Sequence, residues 1–107
     1  MITCTTVNTT NTTIYTSSGA NAVNLLIFCN TDTDSATLTV YVVPNGSVLS
    51  DKNTIIKLAV LPSTETLTFS SEKLILANGD TVVAKAVNTS DGVSAVDCQA
   101  TVSSISL

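Results

Sequence analysis

Residues 36–46 read ATLTVYVVPNG, and the spacing within that stretch decides the fold class. From Thr37 to Val42, hydroxyl or aromatic side chains alternate with aliphatic ones, which places Leu38, Val40 and Val42 on one face of an extended strand. Pro44, Asn45 and Gly46 then supply a turn. The same grammar recurs along the chain. Residues 81–87, TVVAKAV, put Val82, Ala84 and Ala86 inward and Lys85 toward solvent. Near the end, Val96, Cys98, Ala100 and Val102 share a face opposite Asp97, Gln99, Thr101 and Ser103. No twelve-residue window carries a helical set of apolar positions. Thr and Val dominate the composition, and both are β-branched residues that favour strands.

Turn signals cut this pattern into short pieces: Asn30–Ser35, Pro44–Ser47, Leu61-Pro62-Ser63, Asn78-Gly79-Asp80 and Asn88–Gly92. Strands are therefore predicted near 3–7, 12–16, 22–30, 36–43, 54–60, 65–70, 73–77 and 80–87, with a ninth from 94 to 107. The chain of 107 residues is long enough for one hydrophobic core and too short for two. The predicted fold is all-β: a single antiparallel β-sandwich, Ig-like or jelly-roll, of eight or nine short strands.

Hydrophobic residues make up 44% of the chain and charged residues only 11%, against a usual charged share of about 25%. Ser and Thr fill 32 positions, so the polar surface is built from hydroxyls. A surface with so little charge suits a protein packed against copies or partners. The net charge is −4, with four Lys, no Arg and no His. Lacking Arg for phosphate and base-edge contacts, and lacking a lysine cluster, the chain is expected to bind neither nucleic acid nor an anionic membrane. The longest apolar runs, such as Leu25–Cys29, fall far short of a membrane helix. No basic segment followed by an apolar one marks a signal peptide, and Met1 argues against one already removed.

Chemistry has few places to reside. Without His there is no Ser–His or Cys–His pair, so no catalytic residue, cofactor or metal site is expected. Asp32 and Asp34 form the one close carboxylate pair, read either as a weak calcium loop or as a turn making Asx hydrogen bonds. Cys4, Cys29 and Cys98 are odd in number and lack metal-ligand spacing. Cys29 and Cys98 have the separation of an immunoglobulin inter-sheet bridge, but the chain has no core Trp to accompany it. All three are read as reduced thiols, two of them buried. The Asn-x-Ser/Thr matches at Asn8, Asn11, Asn45 and Asn88 are what a chain this rich in Ser and Thr produces by chance.

Residues 1–12 stand apart. Between Thr5 and Thr16 lie seven threonines, two asparagines and no charge. Such a segment reads as an N-terminal arm or an edge strand, with residues 13–107 as the sandwich domain. Hydroxyl-rich extended chain can lie along a neighbour's sheet edge through its backbone. The candidate interaction surface comprises Val7, Ile14, Tyr15, Tyr41, Val83, Val87, Ile105 and Leu107.

From Thr13 onward the order of segments resembles small β-sandwich virion proteins of tailed bacteriophages, of the capsid decoration (cement) or minor tail and baseplate type. The residues that carry the resemblance are Cys29-Asn30-Thr31, then Thr37-Leu38-Thr39-Val40-Tyr41-Val42-Val43-Pro44, then Leu76-Ala77-Asn78-Gly79-Asp80-Thr81-Val82. The resemblance implies a non-enzymatic, homo-oligomeric structural protein made in the host cytoplasm and located in the virion. Its partners would be the major capsid protein or other virion proteins. The first function implied is head stabilisation as a cement protein; the second is a tail, baseplate or fibre module contacting the host surface. A carbohydrate-binding adhesin is disfavoured by only two Tyr, two Phe and no Trp.

Overall fold

The computed structural model describes residues 1–69 and 73–107. Among these, nine strands form: β1 (Ile2–Val7), β2 (Thr12–Thr16), β3 (Asn21–Asn30), β4 (Ala36–Val43), β5 (Thr54–Leu61), β6 (Thr66–Phe69), β7 (Leu74–Leu76), β8 (Thr81–Asn88) and β9 (Cys98–Ser106). A single 3-10 turn, Asp51–Asn53, precedes β5. The expected strands thus sit within a few residues of their sequence positions. The last one starts at Cys98, not 94, because Ser94 is held by the Asp91 loop. Ser70, the final residue of the strand expected at 65–70, lies outside the described residues.

Two antiparallel sheets pack face to face. One has the order β1-β9-β3-β6, with β7 also pairing β3; the other runs β2-β8-β4-β5. β6 and β7 pair with opposite ends of the same strand, Leu26–Cys29 and Asn21–Val23 of β3, so they occupy a single lane. Counting them as one, partners match from the chain ends inward: β1 with β9, β2 with β8, β3 with β6 and β7, β4 with β5. Successive pairs fall in alternate sheets. That is a long antiparallel hairpin rolled into a sandwich, the jelly roll. An immunoglobulin domain instead groups its first, second, fifth and fourth strands in one sheet.

The alternation read from sequence points where expected. Leu38, Val40, Val82, Ala84, Ala86, Cys98 and Val102 are all fully enclosed, with Phe28 among them. Burying each large aliphatic or aromatic side chain contributes about 1.5–3 kcal/mol. The boundary expected at residue 12 is absent. β1 pairs with β9 over six residues without a register shift, and Val7 is part of the core. Residues 2–7 are an edge strand of the chain's own sandwich, and their inward positions flank Cys98, Ala100 and Val102 of β9.

One buried polar group ties the strand ends together. Asn30, fully enclosed, donates through Nδ2 to the carbonyls of Asp34 (2.8 Å) and Leu61 (2.9 Å) and accepts the Asp32 N–H (2.9 Å). It fastens the end of β3 to the end of β5 and to the intervening loop. Asp80 does the same at the opposite end, accepting the N–H groups of Asn45 (2.8 Å) and Ala77 (2.9 Å). The tight turn beside it needs Gly79, whose φ is 85° and whose Cβ would sit 2.6 Å from the Asn45 side chain.

Candidate interaction surface

The eight residues expected to form an outer contact surface divide sharply. Val7, Ile14 and Tyr15 are buried in the main core. Ile14 and Tyr15 both turn inward because β2 is bulged between Thr13 and Tyr15. The Tyr15 hydroxyl then donates to Ser104 Oγ across the sandwich (3.1 Å). Tyr41 and Val83 do point outward from the four-stranded sheet. There they are covered by the chain's own 44–50 loop, forming a small second cluster with Val43 and Leu49. Val87 is half-buried. Ile105 and Leu107 remain exposed. Alternation gave the outward direction of Tyr41 and Val83 but neither the loop that returns over Tyr41 nor the bulge that turns Ile14 and Tyr15 both inward.

The apolar residues left outside the core lie elsewhere. Ile55, Leu58 and Val60 of β5 are exposed, as are Ile2, Val48, Ile75 and Val93. The two flanks of the sandwich differ. On one, β1 and β2 approach each other. On the other, β5 and the β6–β7 lane leave a cleft of about 260 Å3 between the sheets. Its walls are Val23, Leu25, Leu26, Ile55, Ile56, Phe69 and Leu74. No titratable or hydrogen-bonding side chain is among them.

Charge is also unevenly placed. The strands of the five-stranded sheet contain no Asp, Glu or Lys. Its outer face carries Thr, Ser and Gln with aliphatic residues between, and Thr6 Oγ1 donates to Gln99 Oε1 there (2.7 Å). On the other sheet, Lys57 and Lys85 line a shallow depression with Asp51.

Asp32, Asp34 and Asp91 are engaged in loops. Asp32 Oδ1 accepts the N–H of Thr33 (2.6 Å) and of Asp34 (3.3 Å), and Oδ2 accepts the N–H of Asp97 (3.1 Å). These bonds, that from Asp97 foremost, hold its carboxyl below the usual range. The DxD stretch is an Asx turn. Asp34 accepts Asn88 Nδ2 (3.1 Å). Asp91 accepts the Ser94 hydroxyl and the N–H groups of Ser94 and Val93, which lower its pKa to about 2. Among the described residues, no three His, Cys, Asp or Glu side chains come together as metal ligands would. No helix among them is long and apolar enough to cross a membrane.

The thiols are free. Cys29 and Cys98 lie on adjacent strands of one sheet, where Cys29 pairs with Gln99 and Cys98 with Asn30. Neighbouring positions on a strand face opposite ways, so the pair does not span the two sheets. Cys98 alone is fully buried, and burial, with Cys29 nearby, pushes its thiol up to about 11. Cys29 is half-buried and Cys4 exposed.

No family model and no curated protein matches the chain. A solved structure similar to it comes from work described as "Bacillus endospore appendages form a novel family of disulfide-linked pili". The two are 15% identical, the match covers 99% of this chain and 85% of that one, and the TM-score is 0.48. Likeness at that distance carries no functional information.

Proposed function

We propose that the chain is a non-enzymatic structural protein of a tailed-phage particle, a capsid decoration protein that binds across neighbouring major capsid subunits. The observation that carries this reading is the apolar cleft on the β5 flank. A pocket built for catalysis or for a small polar ligand brings a few polar groups to bear on its contents. Here seven apolar side chains form the walls. Such a cleft suits apolar anchor side chains projecting from a partner, the arrangement that dominates the energetics of protein interfaces. The phage setting is supported by the sequence resemblance from Asn30-Thr31 through Thr37–Pro44 to Leu76–Val82.

The test is binding to phage heads assembled without this protein. Purified protein should co-sediment with them and raise the temperature at which they release DNA. Ile55→Lys, which places a charge at the rim of the cleft, should keep the fold and weaken that binding at least tenfold. Failure of the unmodified protein to bind heads would overturn the reading, and binding only to tails would move it to the tail.

A further inference from the structure

Two of the four sheet edges of this sandwich, β1 and β5, are built in opposite ways. β5 carries Lys57, is bulged against β4 at two places, and holds Leu58 at a φ of 53°. Charge and bulging are the devices by which proteins stop an edge from accepting another strand. β1 has neither. Its six residues, ITCTTV, contain no charge, Pro or Gly, and its register with β9 does not shift.

The hydrogen-bond phase of β1 can be read from the residue that precedes it. The Met1 amino group donates to the Ser104 carbonyl (2.6 Å) and the Ser104 N–H donates to the Met1 carbonyl (2.9 Å). Met1 and Ser104 are thus a hydrogen-bonded pair. In an antiparallel ladder such pairs alternate, so Thr3, Thr5 and Val7 bond to β9. Ile2, Cys4 and Thr6 turn their N–H and C=O groups the other way, away from β9 and along the edge of the sheet. Their side chains are exposed on the outer face of the sheet.

We propose that β1 pairs antiparallel with β1 of a second copy of this chain, about a two-fold axis normal to the sheet. Opposed residues of an antiparallel pair point to the same face, and only residues with free backbone groups can exchange bonds. Registers centred on Thr3 or Thr5 pair two of the three available residues. The register centred on Cys4 pairs all three: Ile2 with Thr6 of the partner subunit, Cys4 with Cys4 of the partner subunit, and Thr6 with Ile2 of the partner subunit. At two bonds per pair that makes about six backbone hydrogen bonds. Thr3 and Thr5 then oppose one another across the axis, a favourable hydroxyl pairing.

A copy is the partner because the strand is self-complementary in phase, as a two-fold contact requires. The chain carries a net charge of −4, yet the strands of this sheet contain no charged side chain, so two copies meet here without repulsion between side chains. The contact joins the five-stranded sheets of both copies into one. It goes beyond attachment to a head, since it uses a different flank from the apolar cleft and is tested on purified protein alone.

Sedimentation equilibrium should find a concentration-dependent dimer for the unmodified chain and for Cys4→Ser. Cys4→Pro should sediment as a monomer with an unchanged far-ultraviolet circular dichroism spectrum, because the N–H it removes faces the flank and not β9. A bismaleimide should link Cys4 to Cys4 in the dimer. Should Cys4→Pro misfold, hydrogen exchange on the unmodified chain decides: the Cys4 and Thr6 amides should slow as protein concentration rises. A monomer at every concentration, a Cys4→Pro dimer, or amides whose exchange ignores concentration would each overturn the proposal.

Discussion

Asn30 shows how one side chain can hold three pieces of chain. It is wholly enclosed, and its bond to the Leu61 carbonyl is buried with it, while those to the Asp34 carbonyl and the Asp32 N–H are part-buried. Asn30→Ala leaves the Asp34 and Leu61 carbonyls and the Asp32 N–H without that partner. At about 1–3 kcal/mol for a buried group left unsatisfied, the loss should be about 2–4 kcal/mol in a urea melt. A change below about 1 kcal/mol would mean water takes its place without cost. In sequence Asn30 reads only as the first residue of a turn, because its burial depends on β5 ending beside it, 31 residues away. Asp91 supplies a pH dependence. Its carboxylate is exposed but collects the Ser94 and Val93 donors, which favour the ionised form. A depressed folded pKa contributes stability above the ordinary value of 3.8 and loses it as pH falls through about 2. Carbon-13 NMR of the side-chain carboxyl should therefore titrate near 2, with the Val93 and Ser94 amides shifting in the same window. A midpoint near the ordinary value would show the Asp91–Ser94 turn to be open in solution.

Among the strands, β5 stands out as the strained one. Leu58 adopts a φ of 53°, a left-handed conformation that costs a non-glycine residue about 1–2 kcal/mol, and its side chain is 58% exposed. Little packing offsets that cost. Leu58→Asn, a residue that tolerates this conformation, should raise the melting temperature by about 2–5 °C. A fall instead would show that the exposed leucine packs more than its accessibility indicates. At this scale the sequence was informative in a particular way. Alternation such as Leu38-Val40 or Val82-Ala84-Ala86 located each strand and its inward face, because period two is a local property. The bulge that buries both Ile14 and Tyr15 broke that rule, and so did the loop that covers Tyr41 and Val83. Neither leaves a local signal. The choice between jelly roll and immunoglobulin order lay further out of reach, since both use strands of these lengths and differ only in which distant strands pair. The apolar cleft was illegible for the same reason: Ile55, Phe69 and Leu74 come from three strands that meet only in the fold.

For the molecule as a whole, the decisive feature is that the two ends of the chain complete one sheet. β1 pairs with β9, and β9 in turn pairs with β3. The N-terminal strand therefore closes one side of the core: Val7 is enclosed, and Thr3, Thr5 and Val7 lie beside the inward row of β9. Removing residues 1–8 would uncover Cys98, Ala100 and Val102, delete a buried valine worth about 1.5–3 kcal/mol, and leave the β9 edge groups that Thr3, Thr5 and Val7 now satisfy without partners. A domain of this size has about 5–15 kcal/mol in total to lose. The truncated chain should show no cooperative urea transition, or one whose midpoint has fallen far below that of the full chain. An unshifted midpoint would mean that β1 is an appendage laid on a sandwich already complete without it. The same topology sets the pace of folding. Every sheet-closing contact of β1 spans nearly the whole chain, and long-range pairing of that kind slows folding to the millisecond-to-second range. Stopped-flow refolding of the full chain should fall there, and changes that weaken β1 should speed unfolding more than they slow folding if the strand docks last.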